Sequence, residues 1–98
     1  MPKYRLLKRA EIDLRSIAKY TIQHFGLEQA RHYRDGLFRA FEINADFPLI
    51  GSNQNHIKKN IRCHVHESHS IYYRVGENKI IIYRILGPGV DPLRNLKY

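Results

Sequence analysis

A single thiol, Cys63, is all the cysteine the chain has. That excludes an internal disulfide and any zinc site built from paired cysteines, and it suits a reducing cytoplasm. No apolar run approaches the length of a bilayer-crossing helix. The stretch MPKYRLLKRAEIDL is broken by charge every few residues, so it reads as no secretory leader. A Gly-x-Ser-x-Gly turn and a glycine-rich phosphate loop are both missing, which removes two common signatures of hydrolases and nucleotide-binding proteins. Acids are scarce: after Asp46 only Glu67, Glu77 and Asp91 occur, leaving no ready carboxylate pair for acid–base chemistry. Repeats, linkers and low-complexity tracts are absent as well, so residues 1–98 read as one domain, long enough for one hydrophobic core and too short for two.

What is abundant is positive charge. Lys and Arg number 17 against 9 acids, a net +8. Such a chain favours an anionic partner: nucleic acid, an acidic protein segment or a membrane surface. Hydrophobic residues at 43% suit a folded domain rather than a disordered one.

Periodicity predicts an α+β domain. YRLLKRA reads as a short first strand leading into a helix. In AEIDLRSIAKYTIQHFG the apolar positions Ala10, Leu14, Ile17, Ala18, Ile22 and Phe25 repeat as one buried helical face. Glu11 and Asp13 sit near the helix start, where the dipole favours acids, and Gly26 is placed to cap the end. LEQARHYRDGLFRAFEINADF gives a second helix with Ala30, Tyr33, Leu37, Phe41 and Ala45 on its stripe, ending at Phe47 before Pro48. Leu14, Ile17, Tyr33 and Phe41 read as core. Gly36, mid-helix, costs roughly 1 kcal/mol relative to Ala and either admits a close neighbour or is simply tolerated. The short link forces the helices into an antiparallel hairpin. PLIGSNQNHIKKN reads as surface loop.

Three strands follow. IRCHV alternates Ile61, Cys63 and Val65 against Arg62 and His64; HSIYYRV alternates Ile71, Tyr73 and Val75 against Tyr72 and Arg74. Gly76 to Asn78 makes a hairpin connection, and KIIIYRIL reads as a central strand covered on both faces. Pro88 with its flanking glycines ends it, and VDPLRNLKY suits a short turn or helix. The expected architecture is a helical hairpin packed on one face of a small antiparallel sheet.

CHVHESHS concentrates His64, His66, His69, Glu67 and Cys63. Two histidines spaced by two on a strand share a face, as metal ligands do. Alternation puts Cys63 on the opposite face, however, and no further cysteine or histidine motif completes a ligand set. His64 and His66 are therefore read as solvent-facing and His69 as a turn residue, with no metal or cofactor. Arg62, Arg74 and Arg84 fall on different strands, with Arg94 and Lys97 in the tail and Lys58 and Lys59 in the loop. They are either separately solvated or converge on one patch. Tyr72, Tyr73 and Tyr83 lie among them, a mixture that suits single-stranded nucleic acid or a Tyr/Arg-rich protein interface.

The ordered set AEIDLRSIAKYTIQHFGLEQARHY, FPLIG, SHSIYYRV and IIIYRILGPGVDP, from about Ala10 to Leu93, resembles the ParE toxins of the RelE/ParE superfamily. The resemblance implies the toxin of a type II toxin–antitoxin pair. Such toxins poison DNA gyrase without being enzymes. They are neutralised by a ParD-type antitoxin, acidic and partly disordered, through which alone operator DNA is bound. It implies a target-binding surface, assigned here to Arg62, Arg74, Arg84 and the tail Asp91, Pro92, Leu93 and Arg94, with the antitoxin on the outer groove of the helical hairpin and the sheet edge. The RelE branch, ribosome-dependent messenger-RNA endoribonucleases, implies an arginine near Ser70 and a histidine or tyrosine near the C-terminus. Ser70 holds the arginine's approximate place, and GPGVDPLRN brings no histidine and no tyrosine until Tyr98. ParE toxins often end the last strand in RILH; here Gly87 takes the histidine's place and a less basic tail follows. A third reading is therefore a non-toxic homologue that only binds antitoxin.

Overall fold

The computed structural model describes residues 3–96. The element order is β1 (Tyr4–Leu6), α1 (Lys8–Phe25), α2 (Leu27–Asp46), β2 (Ser52–Asn53), β3 (Ile61–His66), β4 (His69–Val75), β5 (Ile80–Leu86) and α3 (Pro92–Asn95). The five strands form one sheet in the order β1-β5-β4-β3-β2. The α+β class is as expected, with one difference. β1 runs parallel to β5, pairing Tyr4 with Ile80 and Leu6 with Ile82, so the sheet is mixed rather than antiparallel. A second difference is β2, two residues of the expected loop, which pairs antiparallel with β3.

Gly26 alone joins the helices. Its φ of 91° lies where side chains are strained, and its N–H bonds Ile22 O at 3.0 Å. α2 stops at Asp46, with Phe47 before Pro48 as expected. The sheet has two covered faces. The helices lie on one, where Ala10, Leu37, Ala40 and Phe41 meet Ile71, Tyr73, Ile80, Ile82 and Ile85. On the other, Ile61, Tyr72 and Leu86 form a second cluster with Leu96, which brings the tail back onto the sheet. A bulge sets the two faces: β4 advances from Tyr72 to Tyr73 while β5 passes from Arg84 to Ile82. Tyr83 is the extra residue, and beyond it Ile85 rejoins Ile80 and Ile82 in the helix-side core.

The helical stripes are only partly covered. Ala10 of α1 is buried, but Ile22 and Phe25 at its far end are exposed, and Thr21 is buried instead, its hydroxyl bonding Ile17 O at 2.7 Å. Gly36 does admit a close neighbour: a Cβ there would lie 3.0 Å from His66 Nε2.

Candidate functional site

The basic residues of the sheet do not converge. Arg62 lies on the helix side of β3, where its Nη1 donates to Gly51 O at 2.6 Å and lies 3.5 Å from Leu49 O. Arg84 is locked by Asp13 of α1. Its Nε donates to Oδ2 at 2.8 Å and its Nη2 to Oδ1 at 3.0 Å, while its Nη1 reaches Asn95 O at 3.2 Å. The Arg84 and Asp13 side chains are only 16% and 13% exposed. The hydrogen-bonded carboxylate raises the guanidinium's pKa above its ordinary value, with burial opposing. Asp13 Oδ2 also accepts the Ile85 N–H at 2.9 Å, on the β5 edge beyond the end of β1. The expected dipole role of Asp13 missed this partner, which lies 71 residues away in sequence.

Of the three arginines assigned to the target surface on β3, β4 and β5, Arg74 is the one exposed to water. Its guanidinium lies 5.8 Å from the Tyr83 ring centre, and Lys58 Nζ approaches the same ring at 5.9 Å. Loop, β4 and β5 thus bring two cations and an aromatic ring together on the face away from the helices.

The tail folds into α3, Pro92–Asn95. Asp91 caps α3 by accepting the Leu93 N–H at 3.0 Å, Pro92 opens the helix, and Leu96 is buried. Leu93 and Arg94 point outward. Arg94 joins Arg9, Ile12, Asp13, Arg84 and Asn95 around a cleft of about 340 Å³. Lys97 lies outside the described residues.

The histidine expectation is corrected. His64 and His66 face α2, not water. His64 Nδ1 lies 2.6 Å from Asn44 Nδ2, and the His66 ring sits against Gly36. His69 Nδ1 lies 2.6 Å from the Tyr33 hydroxyl. Burial first, and nearby His66 second, lower the pKa of both His64 and His69. On the other face, burial raises the Cys63 thiol and pushes the Tyr72 phenol up to about 12, so both stay protonated near neutrality. Ser70 lies on that face too, half-buried between Val65 and Leu86. Among the described residues, no group of three or more His, Cys, Asp or Glu side chains is placed to hold a metal ion.

Two grooves flank the helices. One, about 200 Å³ and almost wholly apolar, runs between α1 and α2 past Leu14, Ala18, Thr21 and Phe38, with the exposed Arg15 and Arg34 at its rim. The other, about 450 Å³, lies between α1 and the loop after β5, lined by Ile17, Tyr20, His69, Leu86, Pro88 and Val90 among others.

Comparison with known proteins places this geometry. The family model for the ParE toxin of the type II toxin–antitoxin system parDE matches residues 4–88. Toxin ParE1 of Caulobacter vibrioides is 36% identical over 96 residues, 98% of this chain and 99% of the relative. Toxin ParE1 of Mycobacterium tuberculosis is 34% identical over 95 residues, 96% and 97% of the two chains. A chain of the chromosomal ParDE system from P. aeruginosa shares the fold, with a TM-score of 0.75 at 20% identity, over 89% of this chain and 96% of that one. The chain therefore belongs to the ParE family of toxins of type II toxin–antitoxin systems.

Proposed function

We propose that the toxin acts by binding DNA gyrase rather than by making or breaking a bond, and that a ParD-like antitoxin, acidic and partly disordered, neutralises it in the cytoplasm. Operator DNA is reached only through the antitoxin. The observation that carries the target-binding reading is the division among the cations. Arg84 is consumed by Asp13, while Arg74 and Arg94 remain exposed, with the half-buried Lys58 beside Arg74 at the Tyr83 ring. Arg84, Asp91 and Pro92 then act by fixing the tail, and Arg74, Leu93 and Arg94 by touching the target. Arg62 has a different part, holding the loop that precedes β2.

The antitoxin reading rests on the groove between α1 and α2. Its apolar walls, its basic rim and the exposed Ile22, Phe25 and Leu27 at its end suit an amphipathic acidic segment that folds on binding. No described helix is long and apolar enough to cross a membrane.

The deciding experiment adds purified toxin to gyrase and relaxed plasmid. Inhibited supercoiling or accumulated cleaved DNA is expected, and its reversal by the antitoxin. No effect at large molar excess sinks the gyrase reading, and specific messenger-RNA cuts in a translating extract would replace it with the ribonuclease one.

A further inference from the structure

The loop between α2 and β2 holds three large apolar side chains in water: Phe47 is 65% exposed, Leu49 72% and Ile50 53%. Exposed apolar residues scattered singly are ordinary. These are grouped, and the backbone beneath them is fastened from inside the protein. Tyr73, fully buried in the sheet, donates its hydroxyl proton to Pro48 O at 2.7 Å and accepts the Gly51 N–H at 2.9 Å. Arg62 reaches Gly51 O from β3, and Ile50 N bonds Phe47 O at 3.0 Å. A Cβ at Gly51 would stand 2.6 Å from the Tyr73 hydroxyl, so only glycine lets the loop approach this closely. The loop has thus lost most of its conformational freedom before any partner arrives, which lowers the cost of binding.

Its charge surroundings point to the kind of partner. The chain carries +8, yet beside this loop Lys3 pairs with Asp46 at 2.6 Å and Arg62 turns its guanidinium inward. An acidic disordered segment is drawn to outward cations, which line the α1–α2 groove instead. Lys79 is exposed across the cleft behind Pro48, but the knob itself is three apolar side chains on a pinned backbone, which matches a preformed apolar hollow on a folded protein.

We propose that Phe47, Leu49 and Ile50 form an apolar knob that seats the toxin in a hollow on its folded protein target, apart from the surface covered by the antitoxin. This rests on the target-binding reading above. The test uses the full chain carrying Phe47→Ser, Leu49→Ser and Ile50→Ser together, which removes side chains that already face water and so leaves the fold in place. Expected is at least a tenfold rise in the concentration inhibiting purified gyrase, with growth arrest on induction lost and affinity for purified antitoxin within about twofold. Tyr73→Phe, which removes two of the loop's anchors and keeps the knob, should weaken inhibition several-fold with antitoxin affinity unchanged.

Full inhibition and full growth arrest by the triple variant overturn the proposal. So does loss of antitoxin affinity with inhibition intact, which gives the loop to the antitoxin. A wild-type dimer that becomes monomeric in the triple variant, with inhibition unchanged, gives it to a second copy of the chain and also overturns it. If wild-type toxin arrests growth but leaves gyrase untouched, the gyrase reading fails alone, and growth arrest by the triple variant still decides the knob. If wild type does neither, both fall.

Discussion

Asp13 holds Arg84 through both carboxylate oxygens while one of them also accepts the Ile85 N–H. One side chain thereby closes the exposed edge of β5, neutralises an inward cation and, through the Arg84 bond to Asn95 O, steadies the tail. Asp13→Ala leaves a half-buried guanidinium and a backbone donor without their acceptor. A loss of about 3 kcal/mol is expected in urea titration, most of it absent when Arg84→Ala is made in the same chain. Additive losses would show that the pair contributes little.

Gly51 has no room to grow. Its would-be Cβ meets Tyr73 and also lies 3.0 Å from Cys63 O. Gly51→Ala should destabilise by roughly 1–3 kcal/mol as an overpacking change, read as a lower melting temperature with unchanged secondary structure.

Gly36 gives a conditional result. Alanine improves the helix by about 1 kcal/mol, but its Cβ meets the His66 ring. Gly36→Ala alone should gain little or lose stability, whereas in a His66→Ala background it should gain close to the full helix increment. The same gain in both backgrounds would mean the ring moves aside freely.

Acid should weaken the seam between α2 and the β3–β4 hairpin. His64 and His69 titrate below their ordinary 6.5 in the folded chain. Below that pH the unfolded chain binds protons that the native chain refuses, so stability rises with pH there and is lost as pH falls from about 6.5 through the folded values. The groups facing the seam are Tyr33, Arg39 and Asn44 from α2, Glu67 from the hairpin, and Asp13 from α1. Urea midpoints at pH 7.5 and 5.5 should differ in wild type and much less in the His64→Gln, His69→Gln double variant.

Arg74 is exposed, so its change to alanine should alter stability by less than about 0.5 kcal/mol. Arg74→Ala should still raise the inhibitory concentration on gyrase, by roughly fivefold for an exposed cation worth about 1 kcal/mol, and the difference should shrink in high salt. Equal potency at all salt concentrations would remove Arg74 from the target surface.

The helical hairpin, its glycine link and the central β5 were readable because their signals are local: a repeat of 3.6, a positive φ, an apolar β-branched run. The faces of β3 were not. Alternation separates Ile61 and Cys63 from Arg62 and His64, but it cannot say which set meets the helices. Here both sets are covered, one by α2 and the other by Leu96. The clamp of Arg84 by Asp13, the anchoring of residues 48–51 by Tyr73 and the parallel pairing of β1 with β5 join positions far apart in the chain. Composition carries no trace of such pairings, and so the sequence left open whether the arginines are separately solvated or share a patch; Arg62 and Arg84 instead turn inward to protein acceptors, and Arg74 alone of the three stays exposed.

The pairing of β1 with β5 also orders events in time. Tyr4 finds its partner only when Ile80 has been made, Asp13 waits for Arg84, and the second cluster waits for Leu96. At roughly 5–20 residues per second, the chain spends seconds on the ribosome without a finished sheet. The mixed sheet, the Asp13–Arg84 clamp and the second cluster therefore all close only after nearly the whole chain has been made.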